Sequence, residues 1–303
     1  MAKPMYDVIV IGEGVSGLAA AGALAQSGLK VATMEAQLFG GLVINVNELE
    51  PRPEGLPASG AELASEMMQV NSERGVTSIQ EAVTQLRDAG QAKEAVTDSG
   101  VHSARHIVVA SGARLRKLGV PGEAEFEGRG VSQCADCDGP MYQNEQAIVI
   151  GGGDSAFQEA VVLATYCKRV LLVHRNDTFK AAPHFVEQVK ANEKISMVTG
   201  ATVEAILGGR MVEKARVKHG DGRVEELPCA GVFAYIGLEP SSEFLPDAVR
   251  RDEHGFVRTD DAYETTLPGV FAIGAVRSGY GGTLTHAIDE ARRVAETVRS
   301  RLT

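Results

Sequence analysis

The sequence predicts an α/β protein with two Rossmann-like dinucleotide-binding units. Two glycine-rich segments each follow a short apolar run and precede a helical pattern, as the strand, turn and helix of such a unit require. The pattern repeats at constant spacing, because Gly12 and Glu35 are 23 residues apart and so are Gly151 and His174. The composition agrees, since 34 glycines and no tryptophan among 303 residues suit a fold rich in tight strand-to-helix turns.

The first unit begins with Tyr6–Ile11, a nearly continuous apolar run that is typical of a strand buried on both faces. The other elements expected in this unit are a helix to about residue 26, a strand over 31–34, a helix over about 62–74, short antiparallel strands within 76–104, and a buried strand over 106–110.

The second unit begins near Leu118 and repeats the order of strand, glycine turn and helix. Its predicted elements, with those that follow it, are strands over 147–150, 170–173 and 230–236, a helix over about 155–166, a strand over 270–274 and a long helix over about 285–301.

Charge and cysteine content exclude several classes of function. A formal net charge of −10 argues against non-specific binding to nucleic acid or to an anionic membrane. No apolar run approaches the length of a membrane span and no signal peptide is evident, so we expect a cytoplasmic protein. Four cysteines are too few for a structural disulfide framework, and no second ligand pair of zinc-like spacing accompanies the CxxC pair, so no metal site is predicted.

The first glycine-rich segment, Gly12-Glu13-Gly14-Val15-Ser16-Gly17, has the context of a dinucleotide fingerprint. Gly12 permits the turn, Gly14 lets the backbone approach a pyrophosphate, and Gly17 lets helix and strand pack closely. The pyrophosphate then meets free N–H groups at the positive end of the helix. Glu35, at the end of the next strand, can accept hydrogen bonds from both hydroxyls of an unphosphorylated ribose. The alternative is a glycine turn without a ligand.

The second segment runs from Gly151 through Gly153 to Ala156, which the fingerprint accepts as its third small residue. His174 and Arg175 stand where the first unit has Glu35. An acid there would repel a 2′-phosphate, whereas these side chains can pair with one. The pair therefore favours NADPH, with NADH as the alternative donor. A solvated strand end is the other interpretation.

Cys134 and Cys137 form a CxxC pair between the two glycine-rich segments. Such spacing closes a small reversible disulfide ring and tends to lower the pKa of one thiol, and the thiolate is the attacking species. Asp138 follows directly and could carry a proton to or from a departing sulfur. Asp136 adds negative charge that would oppose thiolate formation. Two buried inert thiols are the alternative.

The chain resembles the low-molecular-weight, bacterial-type thioredoxin reductases nearly from end to end. The motifs that carry the resemblance are Val10–Gly17, Gly40-Gly41, Ala110-Ser111-Gly112-Ala113, Gly128–Ser132, Cys134–Gly139, Gly151–Ala156 and Pro268–Gly274. The resemblance implies a three-layer ββα fold in which an NAD(P)H domain carrying the CxxC, residues 117–242, is inserted into a discontinuous FAD domain, residues 1–116 plus 243–303. It also implies a homodimer in which one domain rotates against the other during turnover.

The resemblance further implies roles for individual residues. Cys137 would face the flavin, Cys134 would attack the substrate disulfide of thioredoxin or a similar protein, and Asp138 would protonate the leaving thiolate. The residues expected to hold FAD are Gly12, Gly14, Gly17, Glu35, Gly40, Gly41, Ala110, Gly112 and Gly274. Those expected to hold the nicotinamide nucleotide are Gly151, Gly153, Ser155, His174, Arg175 and Lys180.

Departures from the family pattern lie mostly around the flavin. Leu42 stands where the family has Gln, Pro51 where it has Asn, and Ala275 where it has the Asp that binds the ribityl chain. The family's Arg-Gln-Ala is replaced by 281–283, and His286, near the flavin O2 position, either replaces a lost donor or caps a helix. At the second site two of the family's three arginines are absent, although Lys180 keeps a charge.

Two other functions stay open at the level of sequence. One is a related enzyme that oxidises or reduces a small-molecule dithiol or a pathway-specific partner, with O2 as a further acceptor; the weakened 2′-phosphate pattern favours it. The other is a non-catalytic nucleotide-binding sensor that responds to the redox state of Cys134 and Cys137, which the loss of Asp at Ala275 favours.

Overall fold

The structure, a computed structural model, describes residues 5–46, 49, 57 and 59–302. The chain forms two compact units, Met1–Arg114 with Glu239–Thr303 and Leu115–Leu238. The sequence departure at Pro51, with the neighbouring Glu48 and Glu50, lies outside the described residues.

The first unit and the strand that leaves it contain these elements: β1 (Tyr6–Ile11), α1 (Val15–Gln26), β2 (Val31–Met34), α2 (Gly60–Glu73), β3 (Thr77–Ile79), β4 (Gln85–Ala89), β5 (Ala92–Thr97), β6 (Gly100–Val109) and β7 (Ala113–Leu115). The second unit contains β8 (Val131–Ser132), α3 (Ala135–Asp138), β9 (Gln146–Gly151), α4 (Asp154–Tyr166), β10 (Arg169–Val173), α5 (Pro183–Ala191), β11 (Ile195–Val198), β12 (Ala201–Gly208), β13 (Val212–His219), β14 (Val224–Pro228) and β15 (Gly231–Tyr235). The chain then returns through β16 (Leu238–Pro240), β17 (Val270–Ala272) and α6 (Leu284–Leu302).

The main sheet of the first unit has the order β3-β2-β1-β6-β5-β4, with β17 also paired to β6, counted over the described residues. The strands β3, β2, β1, β6 and β17 are mutually parallel, so their carboxyl ends lie at one edge. Ile11 is paired with both Met34 and Val109, so Gly12, Glu35 and Ala110 follow three neighbouring strand ends.

Alternation along β1 explains the two sides of this core. Val8 and Val10 pack with side chains of α1 and α6 on one face, whereas Ile9 and Ile11 pack on the other face with β4–β6 and the segment 245–257. Successive strand side chains point to opposite faces, so a strand covered on both faces must be apolar throughout.

The second unit repeats this plan with the parallel sheet β11-β10-β9-β15-β8. Ala147 and Val149 of β9 pack against α4, and Ile148 and Ile150 pack against the antiparallel sheet β12-β13-β14. Helix, parallel sheet and second sheet therefore form three layers, and the predicted α/β class is confirmed.

The predicted strands and helices around both glycine turns are confirmed to within a few residues. The expectation of short antiparallel strands within 76–104 is confirmed, because β4, β5 and the first half of β6 pair antiparallel. Strand β3, in the same segment, instead joins the parallel edge beside β2. A strand of three residues is too short for its sequence pattern to indicate a partner, and the partner of β3 is β2, which lies far earlier in the chain. Helix α5 and strands β11–β14 were not predicted.

Among the described residues, no helix has the length and apolar character needed to span a membrane.

Candidate active site

Close packing at the first glycine turn leaves no room for side chains at two positions. A Cβ atom on Gly12 would lie 2.3 Å from the carbonyl oxygen of Ala110, and one on Gly17 would lie 2.0 Å from the carbonyl oxygen of Gly12. Gly14 differs, because the nearest atom to its Cβ position is the Gly40 carbonyl oxygen at 3.9 Å. Gly12 and Gly17 therefore bring strand and helix together, and Gly14 borders open space.

The start of α1 has free donors facing that space. Gly14 is its N-cap residue and provides no side-chain cap, and no acidic side chain occupies the first turn. Unpaired N–H groups at a helix N-terminus bind anions such as pyrophosphate. Gly40 (φ +100°) donates its N–H to the Glu13 carbonyl at 2.6 Å, and this bond holds the loop at Gly40 against the glycine turn. A Cβ on the next residue, Gly41, would lie 3.4 Å from Gly14 Cα.

The Glu35 carboxylate is oriented by backbone N–H groups at the carboxyl edge of the sheet. It accepts hydrogen bonds from Glu13 at 3.0 Å, Ala36 at 2.8 Å and Gln37 at 3.1 Å. Each carboxylate oxygen has two acceptor sites, so Oε1 is fully used and Oε2 retains the capacity to accept from one ribose hydroxyl. Open space at Gly14, free helix donors and an oriented acid together fit the adenosine diphosphate half of FAD.

Sequence reasoning missed Glu13, which lies between two fingerprint glycines. Its side chain is only 3% exposed and accepts hydrogen bonds from Thr33 Oγ1 at 2.5 Å and Ser78 Oγ at 2.7 Å. These bonds fix the glycine turn to β2 and β3. A charged residue inside a turn that must be buried was the available signal, because a buried carboxylate requires partners.

The glycine turn, the start of α1 and Glu35 form the first dinucleotide cradle, and the loops that follow β6 and β17 border its other end. Gly112 and Gly274 both have positive φ, at +68° and +71°, and the Gly274 N–H donates to Glu290 Oε2 at 2.7 Å. Glu290 also pairs with Arg277, whose Nε is buried without a hydrogen-bond partner among the described residues. Ala275 supplies no carboxylate there, and Leu42 is 46% exposed. Arg277 Nε is thus an unused donor at the end where the family's Asp is missing.

In the second glycine turn, as in the first, one glycine allows close packing and another borders open space. A Cβ on Gly151 would lie 2.4 Å from the Tyr235 carbonyl oxygen, whereas no atom lies within 4 Å of the Cβ position of Gly153. Gly153 is the N-cap of α4 and provides no side-chain cap. Asp154 accepts a hydrogen bond from the Ala182 N–H at 2.7 Å, and Ser155 is exposed in the first turn. This arrangement fits the pyrophosphate of a second dinucleotide.

His174 faces inward from the end of β10. Its ring lies so close to Gly152 that a Cβ there would be 2.2 Å from His174 Cε1, and its Nε2 lies 3.2 Å from the Thr178 carbonyl oxygen. Burial lowers the pKa of His174, and the nearby Arg175 charge lowers it further against the opposing effect of the Thr178 bond. The lowered pKa leaves the imidazole mostly neutral at pH 7 before a nucleotide binds, so the permanent positive charge beside this turn comes from other side chains.

Arg175 and Lys180 are the exposed cations beside this turn. The Lys180 N–H donates to the Gly152 carbonyl at 2.8 Å, which fixes this residue to the glycine loop. Discrimination between NADPH and NADH is therefore expected from these two side chains rather than from His174.

Replacing both cations, in the double variant Arg175→Ala with Lys180→Ala, should raise KM for NADPH and leave KM for NADH nearly unchanged. Each charged hydrogen bond to phosphate is worth about 1.5–3 kcal/mol, so we expect an increase of roughly 100-fold or more. Steady-state kinetics with both nucleotides measures this, with Arg169→Ala, at the opposite end of β10, as the matched control. Equal changes for NADPH and NADH would contradict the assignment.

The CxxC pair forms a disulfide at the start of the short helix α3. Cys134 is the N-cap residue, and its Sγ accepts a hydrogen bond from the Cys137 N–H at 3.1 Å. Cys134 is half-buried, Cys137 is exposed and Asp138 is half-buried. A backbone donor directed at Cys134 Sγ would also stabilise a thiolate there after reduction.

The other two cysteines lack the properties of nucleophiles. Burial raises the pKa of Cys167 to about 11 and that of Cys229 to about 12, and both thiols are buried. The described part of the chain contains no cluster of three or more His, Cys, Asp or Glu side chains that could hold a metal ion. Redox chemistry in this unit therefore centres on Cys134 and Cys137.

Comparisons with known proteins agree with this geometry. The family model described as pyridine nucleotide-disulphide oxidoreductase matches residues 6–291. A thioredoxin reductase of Treponema pallidum is 38% identical over 90% of this chain and 89% of its own length. The crystal structure of Lactococcus lactis thioredoxin reductase has a TM-score of 0.92 at 35% identity, with coverage of 97% of this chain and 98% of the other. The T. acidophilum thioredoxin reductase structure has a TM-score of 0.91 at 28% identity, covering 99% of both chains.

The two dinucleotide cradles, the disulfide and these similarities confirm the resemblance found in the sequence, including the flavoprotein class with FAD and a pyridine nucleotide as cofactors. The chain belongs to the pyridine nucleotide-disulphide oxidoreductase family, among its low-molecular-weight thioredoxin reductases.

Proposed function

We propose that this enzyme uses NADPH to reduce thioredoxin or a thioredoxin-like protein through the Cys134–Cys137 disulfide. The observation that carries the proposal is that this disulfide is formed in the same unit as a dinucleotide cradle flanked by Arg175 and Lys180. FAD, when bound, supplies the carrier that passes two electrons from NADPH to the disulfide.

Each cofactor is assigned to one unit. Gly12, Gly14, Gly17 and Glu35 would hold the adenosine diphosphate half of FAD, and the Arg277 Nε donor would serve its other half. The matching residues for NADPH are Gly151, Gly153, Ser155, Arg175 and Lys180.

The two sulfur atoms take different roles in the proposed exchange. After two-electron reduction, the Cys134 thiolate attacks one sulfur of the substrate disulfide, and the displaced substrate thiolate takes a proton from Asp138. Attack by Cys137 on Cys134 Sγ then releases the second substrate thiol and restores the disulfide. The N–H directed at Cys134 Sγ supports Cys134 as the nucleophile.

A coupled assay tests the substrate. Purified protein, NADPH and a thioredoxin are mixed, and DTNB reduction is followed with and without the thioredoxin. The proposal expects reduction that depends on both NADPH and thioredoxin. No activity with several thioredoxins, in protein shown to carry FAD, would exclude a thioredoxin substrate.

A second candidate is a dithiol oxidoreductase that acts on a small molecule or a pathway-specific partner. The weakened 2′-phosphate pattern, which keeps Arg175 and Lys180 but lacks two of the family's three arginines, is the observation that favours it. If a small dithiol bleaches the flavin and NADPH does not, this candidate replaces the first.

The resemblance also supports a homodimer as the working form of the enzyme. Sedimentation equilibrium of the FAD-loaded protein should give twice the chain mass of 32.0 kDa. A sedimenting species of one chain mass at assay concentration would exclude the dimer.

A further inference from the structure

Glu159, on the second turn of α4, makes a direct contact with the redox turn. Its Oε2 accepts a hydrogen bond from the Ala135 N–H at 3.0 Å and another from the Tyr235 hydroxyl at 3.1 Å. Ala135 is the residue immediately after Cys134 and is fully buried. One carboxylate oxygen therefore ties the cysteine turn to both α4 and the end of β15.

Glu159 and Cys134 Sγ accept from different backbone donors of the redox turn. At the start of a helical turn the first N–H groups have no partner within the helix and can stabilise an anion at the N-cap. In this structure the Ala135 N–H is used by Glu159, and the Cys137 N–H is directed at Cys134 Sγ. Glu159 thus fixes the geometry of the turn through Ala135, while the Cys137 N–H is the donor directed at Cys134 Sγ.

The charged and titratable groups around Glu159 come from two other elements. The pKa of Glu159 is raised, because burial outweighs the lowering effect of the bonds from Ala135 and Tyr235. The charge of Asp136 of α3 adds to the rise. Burial, and then the Glu159 charge, raises the pKa of Tyr235 on β15, so this phenol stays a donor. Burial, and then the charges of Asp138, Cys167 and Cys229, raise the pKa of Tyr142, in the turn after α3, to about 12.

We propose that Glu159 is a positioning residue for the redox cysteines, one that holds the Ala135 amide in place and whose negative charge opposes thiolate formation at Cys134. The proposal deepens the function proposed above and rests on it for its biological meaning. A carboxylate beside a dithiol limits the thiolate fraction without altering the disulfide itself, because its charge repels a second charge. The reduced enzyme would then be less reactive toward unspecific electrophiles than its CxxC spacing alone predicts.

Glu159→Gln removes the negative charge but keeps the hydrogen bond to the redox turn, because the Gln amide oxygen can still accept from the Ala135 N–H. In a Cys137→Ser background, Cys134 alkylation by iodoacetamide is measured against pH, with the modified peptide identified by mass spectrometry. Removing one charge close to a partly buried thiol should move the midpoint of this profile down by about one pH unit. Glu187→Gln, which removes an exposed carboxylate on α5, should leave the midpoint unchanged.

An unchanged or raised midpoint in Glu159→Gln would overturn the proposal. Glu159→Ala, which loses both the charge and the hydrogen bond to Ala135, should also show a lower midpoint of thermal unfolding. Glu159→Gln, which keeps the hydrogen bond, should retain the wild-type midpoint of thermal unfolding. A purely structural role predicts that stability pattern without any change in the pH profile. Alkylation needs neither FAD nor a substrate protein, so its outcome stays separate from that of the thioredoxin assay.

Discussion

Replacing either redox cysteine, in Cys134→Ser or Cys137→Ser, is expected to reduce NADPH-dependent disulfide reduction by roughly 10³-fold or more, the usual effect of removing a nucleophile. The reason is that both sulfur atoms form the disulfide that accepts and passes on the electron pair. Flavin reduction by NADPH should persist in both variants, because it precedes the disulfide. Stopped-flow absorbance for the flavin and the DTNB assay for turnover measure the two steps.

The same variants assign the two sulfurs. With a single-cysteine thioredoxin supplied as its mixed disulfide with thionitrobenzoate, the Cys134 thiolate of Cys137→Ser should displace thionitrobenzoate and accumulate a protein–protein mixed disulfide, and Cys134→Ser should not. Cys229→Ala is the control, since that buried thiol with its raised pKa takes no part. A mixed disulfide that forms only in Cys134→Ser would reverse the assignment.

The reciprocal pair Gly14→Val and Gly153→Val should each eliminate the binding of one dinucleotide and spare the other. Both positions have extended backbone that valine can adopt, with φ values of −73° and −105°. Both also border open space in which a side chain would occupy the path of a pyrophosphate. Gly14→Val should therefore be purified without flavin, and Gly153→Val should keep flavin that NADPH no longer reduces.

Each variant is the control for the other, because both place the same side chain in open space at the N-cap of a helix and should leave the fold intact. Flavin content is read from absorbance after denaturation, and NADPH affinity from fluorescence titration. Loss of both dinucleotides in one variant, together with a lowered thermal midpoint, would indicate a folding defect. Retention of flavin in Gly14→Val would contradict the assignment of the first cradle.

The elements around the glycine turns could be predicted because local pattern and tertiary structure coincide there. An apolar strand, a glycine turn and a helix are adjacent in sequence, and constant spacing places Glu35 at the neighbouring strand end. The position of strand β3 beside β2 could not be predicted, because three residues are too few to indicate a distant partner. The sheet β12-β13-β14 was missed although buried and exposed residues alternate along much of β12 and β13 and each strand pairs with the next one in the chain.

The candidate site shows the same division. The disulfide and the cradle glycines could be predicted from short motifs, whereas three side-chain contacts could not. Glu159 meets Tyr235 76 residues away, Glu13 meets Ser78 65 residues away, and the His174 ring turns onto Gly152 instead of toward solvent. Such contacts depend on how helices and strands pack, and no local spacing encodes them.

An anaerobic titration of the flavin-loaded protein tests the central claim most directly. NADPH should bleach the visible flavin absorbance, and oxidised thioredoxin added afterwards should restore it in the wild type but not in Cys134→Ser. Bleaching that thioredoxin cannot reverse, or restoration that is equal in Cys134→Ser, would contradict the proposed path from NADPH through the Cys134–Cys137 disulfide to a thioredoxin-like protein.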